Sequence, residues 1–479
     1  MKFDLELLEF VECNKDSQKI AISASDKDLT WNEFKNEVEK LKIEILKYNL
    51  PKGHPVVIYG HKEAKFIVSM TACMSLGLPY IPVDTIYPKE RLNKIINILS
   101  SALVIYTIEN KMEVNTNNIN TSYHLDDSII YIIFTSGSTG EPKGVQITKN
   151  SILDFKTWLE TDFKFNNNSI FMNQAPFSFD LSVYEVVGFL LFGGTIILNS
   201  RELLENHLEY FERLKKYECN TWVSTPSFIS KYLLSSEFVS SNIKTLTSFL
   251  FCGEVLPSAT VKRIKNNFPD SKVLNTYGPT EATVATTLIE ITSEIIDKYS
   301  KSLPVGYVKK NTIINLLDKD SENVGEIEIV GDNVSIGYFK NEELNAQKFE
   351  PKYEKRSFRT GDFGYFEDNM LFFANRKDEL IKLHGFRIEL GEIDKEFTNN
   401  KEVTDAITIP LKRGSEVVKL ITFIVVNSSA VNIEDLKEEI SKVLPYYMIP
   451  SDVIILDKFP YNTNHKIDKK ELINIYKTL

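Results

Sequence analysis

From Thr30 onward, apolar residues return every three or four positions: Trp31, Phe34, Val38, Leu41 and Ile45 form one stripe of a helix. Thr30 with Glu33 three residues on is the pattern of a capping box, in which side chains and backbone N–H groups satisfy one another. The period then changes. "PVVIYG" has a strand's length, "KEAKFIVSMTACMSLG" returns to helical spacing, and "PYIPVD" is strand again. A strand–helix–strand order predicts parallel α/β layers in the first part of the chain. "IIYIIF" (129–134) is apolar without interruption, as expected of a strand covered on both faces, and "GVQIT" reads as another strand.

Beyond residue 300 the pattern becomes strand-rich, with "GEIEIVG" and "MLFFANR". Charged residues in "NRKDELIKLHG" (375–385) then separate two apolar stretches. They divide a large domain, 1–377, from a small α/β domain, 378–479. In the small domain "VVKLITFIVV" reads as a strand and "NIEDLKEEISKVL" as an amphipathic helix. Asn432 is its cap, Ile433, Leu436, Ile440 and Leu444 its apolar face, and Pro445 its end. No internal repeat and no low-complexity segment interrupts this order.

A chain of 479 residues is too long for one comfortable core, which agrees with two domains. Its 43% hydrophobic and 25% charged residues are those of a soluble globular protein. A formal charge of -10 argues against a nucleic-acid partner, because such binders need a basic face. Cys13, Cys73, Cys219 and Cys252 form no CxxC pair and are expected as buried free thiols in a reducing compartment. The six histidines show no metal-binding spacing. "MKFDLELLEF" is unlike a secretory signal, and "GFLLFGGTIIL" is short and broken by Gly193-Gly194. A cytoplasmic protein without membrane insertion is expected, most simply a monomer.

Four stretches carry chemistry. "YIIFTSGSTGEPKGVQI" offers backbone N–H groups, the hydroxyls of Thr135, Ser136, Ser138 and Thr139, and the point charge of Lys143 to an anion. It is not a Walker A loop: the spacing is G-x-x-G-x-x-K, and a strand follows it where that loop feeds a helix. "NTYGPTEATVA" (275–285) places Tyr277 beside a tight turn, a shape suited to a purine, with Thr280 and Glu281 as oxygen ligands for a phosphate and its Mg²⁺. It could equally be a turn before a capped helix. "FRTGDFG" sets Asp362 to accept ribose hydroxyls or to cap a turn. Lys466 in "NTNHKID" is a loop lysine, a residue that is usually only solvated.

Taken in order, the Gly-rich loop, "YGPTE", "RTGD", a charged hinge and a near-terminal "KID" resemble the adenylate-forming superfamily of acyl-CoA synthetases, luciferases and nonribosomal adenylation domains. The resemblance runs from "LTWNEF" to "HKID". Within the superfamily, "PYIPVD", "NQAPFSFDLSV", "STPSF", "FCGEVLP", "SLPVG", "IKLHGFRIELGEI" and "YMIP" are most similar to the D-alanine–carrier-protein ligases of lipoteichoic acid D-alanylation. It implies a large N-terminal domain of β-sheets and a distorted barrel flanked by helices, with a small mobile C-terminal α/β domain.

The resemblance also implies roles. Thr135, Ser136, Gly137, Ser138, Thr139, Gly140 and Lys143 would hold the β- and γ-phosphates of ATP. Asn275, Thr276, Tyr277, Gly278, Pro279 and Thr280 would pack on adenine and contact the α-phosphate, with Glu281 on Mg²⁺. Asp362 would grip the ribose, helped by the segment ending in Arg376. Asp378 would be a hinge about which the small domain rotates between half-reactions, exchanging catalytic Lys466 for a thiol tunnel near "KLHG" (382–385).

Asp180, in "FSFDLSVYE", is expensive to bury unless it meets a cation, and an amino acid's α-ammonium is the natural partner. Otherwise it caps the helix that follows. By resemblance Leu181, Tyr184, Val223, Leu250, Cys252, Thr276, Val284 and Ala285 line the rest of that pocket, which suits a small uncharged side chain. Four positions depart from the pattern: Tyr184-Glu185 looks like the peptide-synthetase domains, and His465 and Asn375 stand where glycine is usual.

The chain ends at Leu479 without a carrier-domain serine motif, so the acyl group is expected to pass to the phosphopantetheine thiol of a separate carrier protein. D-alanine is the favoured substrate. A stand-alone peptide-synthetase enzyme for L-alanine, glycine or serine is the alternative. An acyl- or aryl-CoA ligase and an inactive carrier-binding module are less consistent with Asp180 and with the trio Lys466, Glu281 and Asp362.

Overall fold

The computed structural model describes residues 17–116, 128–135, 142–299, 302–376, 380–383, 386–413, 416–427, 431–460 and 467–479. They divide into two compact units. One comprises 1–84, 96–134 and 144–377; the other comprises 85–95, 135–143 and 378–479.

The first unit opens as its pattern predicts. Thr30 Oγ1 accepts from the Glu33 N–H, and Glu33 Oε2 accepts from the Thr30 N–H at 2.8 Å, closing the capping box of helix Trp31–Leu46. The buried stripe Trp31, Phe34, Val38, Leu41 and Ile45 faces the core, where Trp31 stacks on Phe189 with ring centroids 4.8 Å apart. Strands Val56–Gly60 and Tyr80–Asp84 pair in parallel around helix Ala64–Leu76. Strand Ile129–Thr135 joins the same six-stranded sheet, with residues 129–134 buried. The "GVQIT" expectation is met by strand Lys143–Thr148.

A nine-stranded sheet positions the site. Its centre is parallel, in the order Lys272–Tyr277, Ser248–Phe251, Thr221–Ser224, Ile170–Asn173, Thr195–Leu198 and Ile20–Ser23. Antiparallel strands close both edges. Parallel strands leave their carboxyl ends in register, and ligands of open α/β sheets bind there. The strand-rich stretch beyond 300 forms a five-stranded antiparallel sheet that includes Gly325–Val330, Lys355–Glu367 and Met370–Arg376.

In the second unit, antiparallel strands Val403–Arg413 and Glu416–Val426 take Asp452–Leu456 as a parallel third strand. Asn432 caps helix Ile433–Ser441 through the Glu434 N–H. The helix stops short of Pro445, because a residue before proline is driven from the helical region. Val443 bonds back to Ile440 in a tightened last turn, and Leu444 is still buried. Cys73, Cys219 and Cys252 are buried free thiols; Cys13 lies outside the described residues.

Candidate active site

Asp180 begins a short 3₁₀ turn, Asp180–Ser182, that leads into helix Val183–Phe192. The N-cap of that helix falls on Ser182 and not on Asp180, and Ser182 makes no side-chain cap bond. Asp180 is buried, and the turn it begins packs against strand Thr221–Ser224. Leu181, Tyr184, Val223, Leu250, Cys252, Val284 and Ala285 are all members of one large apolar cluster. Val223 lies on one parallel strand, Leu250 on the next, and Cys252 just beyond that strand's end. The Tyr184 hydroxyl donates to Thr276 Oγ1 at 3.1 Å, and Thr276 donates on to the Phe251 carbonyl at 2.8 Å. Burial holds the Tyr184 phenol well above its ordinary pKa, so it stays a neutral donor. Cys252 Sγ contacts the Val284 carbonyl at 3.8 Å, a wall of the cluster.

Residues 277–286 form a tight turn tied by the Thr286 N–H to the Tyr277 carbonyl at 2.7 Å. Gly278 is required there: a Cβ would stand 2.3 Å from Ala285 Cα. Thr283 and Val284 have φ of +56° and +71°. For β-branched residues this is strained backbone, which persists only where surroundings over-determine it. They do: Thr283 Oγ1 donates to the Asn333 carbonyl at 2.6 Å, and Asn333 Nδ2 donates to the Ala282 carbonyl at 3.1 Å.

The same turn meets the five-stranded sheet. Tyr277 donates to Asp362 Oδ2 at 2.7 Å, and Arg376 Nη1 donates to Asp362 Oδ1 at 2.7 Å. Asp362 lies on strand Lys355–Glu367 directly opposite Arg376, within a bulge at which Gly361 takes φ +76°. Asn275 is turned inward, donating to the Pro304 carbonyl at 2.8 Å. Glu281 is fully buried, and its Oε1 accepts from the Tyr338 hydroxyl at 2.7 Å. Among the described residues no group of three or more His, Cys, Asp or Glu could hold a metal ion. A lone carboxylate of this kind fits Mg²⁺, which is commonly held by one or two carboxylates with substrate phosphates and water supplying the rest.

In the second unit, Thr135 ends its strand with a buried hydroxyl that has no hydrogen-bond partner among the described residues. Lys143 is paired with Glu389 at 2.7 Å, both largely buried. Helix Leu390–Thr398, which begins just after Glu389, also carries Glu392, bonded to Arg91 at 2.6 Å, and Glu396, bonded to Lys94 at 2.9 Å. Ser136, Gly137, Ser138, Thr139, Gly140, Asp378, His465 and Lys466 lie outside the described residues.

Sequence reasoning did not find Tyr338, Glu389 or Lys62. Tyr338 and Glu281 are 57 residues apart and share no local motif. The one available signal was a tyrosine following glycine in "SIGYF".

The family model for AMP-binding enzymes matches residues 10–339, and the chain belongs to that family; it is an ATP-dependent ligase. The D-alanine–D-alanyl carrier protein ligases of Bacillus cytotoxicus and Bacillus licheniformis are each 36% identical to it, over 98% of this chain and 99% of each relative. The fold is similar to that of the adenylation domain AlmE of Vibrio cholerae, solved with glycyl-adenosine-5'-phosphate. That likeness has a TM-score of 0.81 at 18% identity and covers 97% of that structure and 99% of this chain. Among the described residues no helix is long and apolar enough to cross a membrane.

Proposed function

We propose that the chain activates a small amino acid, D-alanine foremost, as its adenylate and passes it to the phosphopantetheine thiol of a separate carrier protein in the cytoplasm. In the first half-reaction a carboxylate oxygen of the amino acid bonds to the α-phosphorus of ATP and diphosphate leaves. In the second the thiol sulfur bonds to the acyl carbon, AMP leaves, and the thiol proton passes to solvent.

The observation that carries this reading is Asp180, a buried carboxylate on a turn packed against the parallel strand Thr221–Ser224. A carboxylate there stabilises an α-ammonium and rejects fatty or aryl acids, which bring no compensating charge. The pairing of Asp362 with Tyr277 and Arg376 supports a ribose-binding role, since a fixed carboxylate keeps lone pairs for a diol. Glu281 would hold Mg²⁺, which supplies charge neutralisation at the phosphates. Thr135 to Gly140 and Lys143 would hold the β- and γ-phosphates, Asp378 would act as hinge, and Lys466 would meet the charge that develops at the α-phosphate. A monomer suffices for this chemistry.

Amino-acid-dependent ATP–diphosphate exchange with both alanine enantiomers, glycine and serine tests the reading. D-alanine is expected to give the highest kcat/KM, and no exchange with any amino acid would overturn the proposal. The Tyr184–Thr276 bond fixes a bulky ring beside the proposed side-chain pocket and favours a second reading, in which glycine is preferred.

A further inference from the structure

Lys62 lies between strand Val56–Gly60 and helix Ala64–Leu76, and it is wholly buried. Its Nζ donates to Asn173 Oδ1 and to the Ala175 carbonyl, both at 2.5 Å, and stands 4.3 Å from the centroid of the Phe177 ring. Asn173 Nδ2 in turn donates to Glu185 Oε2 at 3.0 Å. The nearest other charges are otherwise engaged: Asp84 accepts from Arg201 at 2.5 Å and meets His61 Nδ1 at 2.7 Å.

The placement of these groups gives the cluster its meaning. Asn173 is the last residue of strand Ile170–Asn173, and Glu185 lies in the first turn of helix Val183–Phe192. Between them runs the segment that carries Asp180. The Asn173–Glu185 bond closes the two ends of that segment, while Lys62 grips it at Asn173, Ala175 and Phe177. Asn199 holds the Asn173 carbonyl through both its backbone N–H, at 3.1 Å, and Nδ2, at 3.0 Å.

Burying an ammonium costs several kcal/mol, and an apolar side chain of the same length would fill this space with less penalty. The burial draws the Lys62 pKa down to about 8 and pushes that of Glu185 well above the carboxylate range. Such a group is retained where it fixes geometry that packing alone leaves loose.

We propose that Lys62 is a positioning residue for amino-acid recognition: with Asn173 and Glu185 it clamps the 173–185 segment so that Asp180 is held where the substrate ammonium binds. This rests on the assignment of Asp180 made above.

The test is diphosphate exchange on the full chain, with D-alanine or the panel's preferred amino acid, alongside thermal unfolding. Lys62→Met keeps the length and removes the charge. KM for the amino acid should rise roughly tenfold to a hundredfold, as expected of a displaced binding group. KM for ATP should stay within about twofold, while Tm falls, because Asn173 Oδ1 and the Ala175 carbonyl are left buried without their donor. An unchanged amino-acid KM with a lowered Tm, or equal rises in both KM values, would overturn the proposal.

Should Lys62→Met not fold, the other end of the segment can be loosened. Glu185→Met removes the acceptor for Asn173 Nδ2 and should raise the amino-acid KM, whereas Glu185→Gln keeps an acceptor and should stay within about twofold of the wild type. Equal KM values for the two variants count against the clamp. Asp180→Asn, run in parallel, separates the two claims. If it leaves the amino-acid KM unchanged, the Asp180 assignment fails. If it raises KM while Lys62→Met does not, only the clamp fails.

Discussion

Tyr277 and Asp362, 85 residues apart, meet at 2.7 Å with the phenol donating to the carboxylate. The bond joins the strained turn at the end of the parallel sheet to the antiparallel sheet, and Arg376 holds the other carboxylate oxygen. Burial pushes the Tyr277 pKa well above 10, and the Asp362 charge raises it further, so the phenol remains a donor throughout the working pH range.

Tyr277→Phe keeps the ring and deletes this donor. A hydrogen bond to a charged group contributes about 1.5–3 kcal/mol. Loss at the lower end predicts that KM for ATP rises about tenfold while KM for the amino acid moves less than about twofold. Steady-state exchange with each substrate varied in turn measures the split; equal rises in both would remove Asp362 from nucleotide binding.

Asp180→Asn is close to isosteric and removes one charge. Truncating one side of a buried ion pair typically costs about 2–5 kcal/mol. The amino-acid KM is therefore expected to rise by roughly 10² or more, with ATP binding unchanged. Calorimetric titration of ATP into the variant checks the second half of that statement without requiring turnover.

The features legible in the sequence were local ones. The Thr30–Glu33 box, the Asn432 cap and the apolar run 129–134 each follow from residues within a few positions of one another. The long-range pairs left no such trace: Lys62 with Asn173, Tyr338 with Glu281 and Lys143 with Glu389 join residues that only the fold brings together. Lys62 is the sharpest case, because a lone lysine in a turn reads as solvated and is here fully buried. Thr283 and Val284 were equally silent, since β-branched residues give no warning of positive φ. Asn375, where glycine is usual in the resembling family, sits in an extended strand opposite Phe363, and that pairing asks for no glycine.

Gly278→Ala tests the strained turn. The added methyl would meet backbone on two sides, Ala285 Cα at 2.3 Å and the Val284 carbonyl at 2.9 Å, and neither can rotate away. The turn must open. Overpacking of this kind costs about 1–3 kcal/mol or more, so the variant should unfold at lower urea concentration and lose exchange activity. Unchanged stability would mean that the turn is looser than its geometry.

Asp394 supplies a pH dependence. Burial raises its pKa to about 7, against the ordinary carboxylate value, while the Thr408 N–H at 2.6 Å favours the ionised form and nearby Asp405 opposes it. Between about pH 4 and pH 7 the folded protein keeps a proton that the unfolded chain releases. Stability therefore falls as pH rises through that window. Asp394→Asn keeps the acceptor for Thr408 and does not titrate. Its advantage over the wild type should grow by on the order of 1–3 kcal/mol from pH 5 to pH 8 in urea unfolding; a gap that stays constant with pH would contradict the assignment.

Lys466, outside the described residues, is the side chain we propose meets the charge that develops at the α-phosphate. Attack of a carboxylate on an α-phosphate joins two anions, and the transition state gathers more negative charge than either reactant. A preorganised cation is the main lever on such a step, and removing one such donor typically lowers the rate by about 10²–10³. Lys466→Ala should therefore lose that much in adenylate formation, measured by diphosphate release in a single turnover. The thiol's attack on a preformed adenylate needs no charge at that phosphate, because AMP leaves already carrying its own. Transfer from synthetic aminoacyl adenylate to a phosphopantetheinylated carrier protein should proceed within a few-fold of the wild-type rate. Equal losses in both half-reactions would show that Lys466 acts through the fold and not at the phosphate.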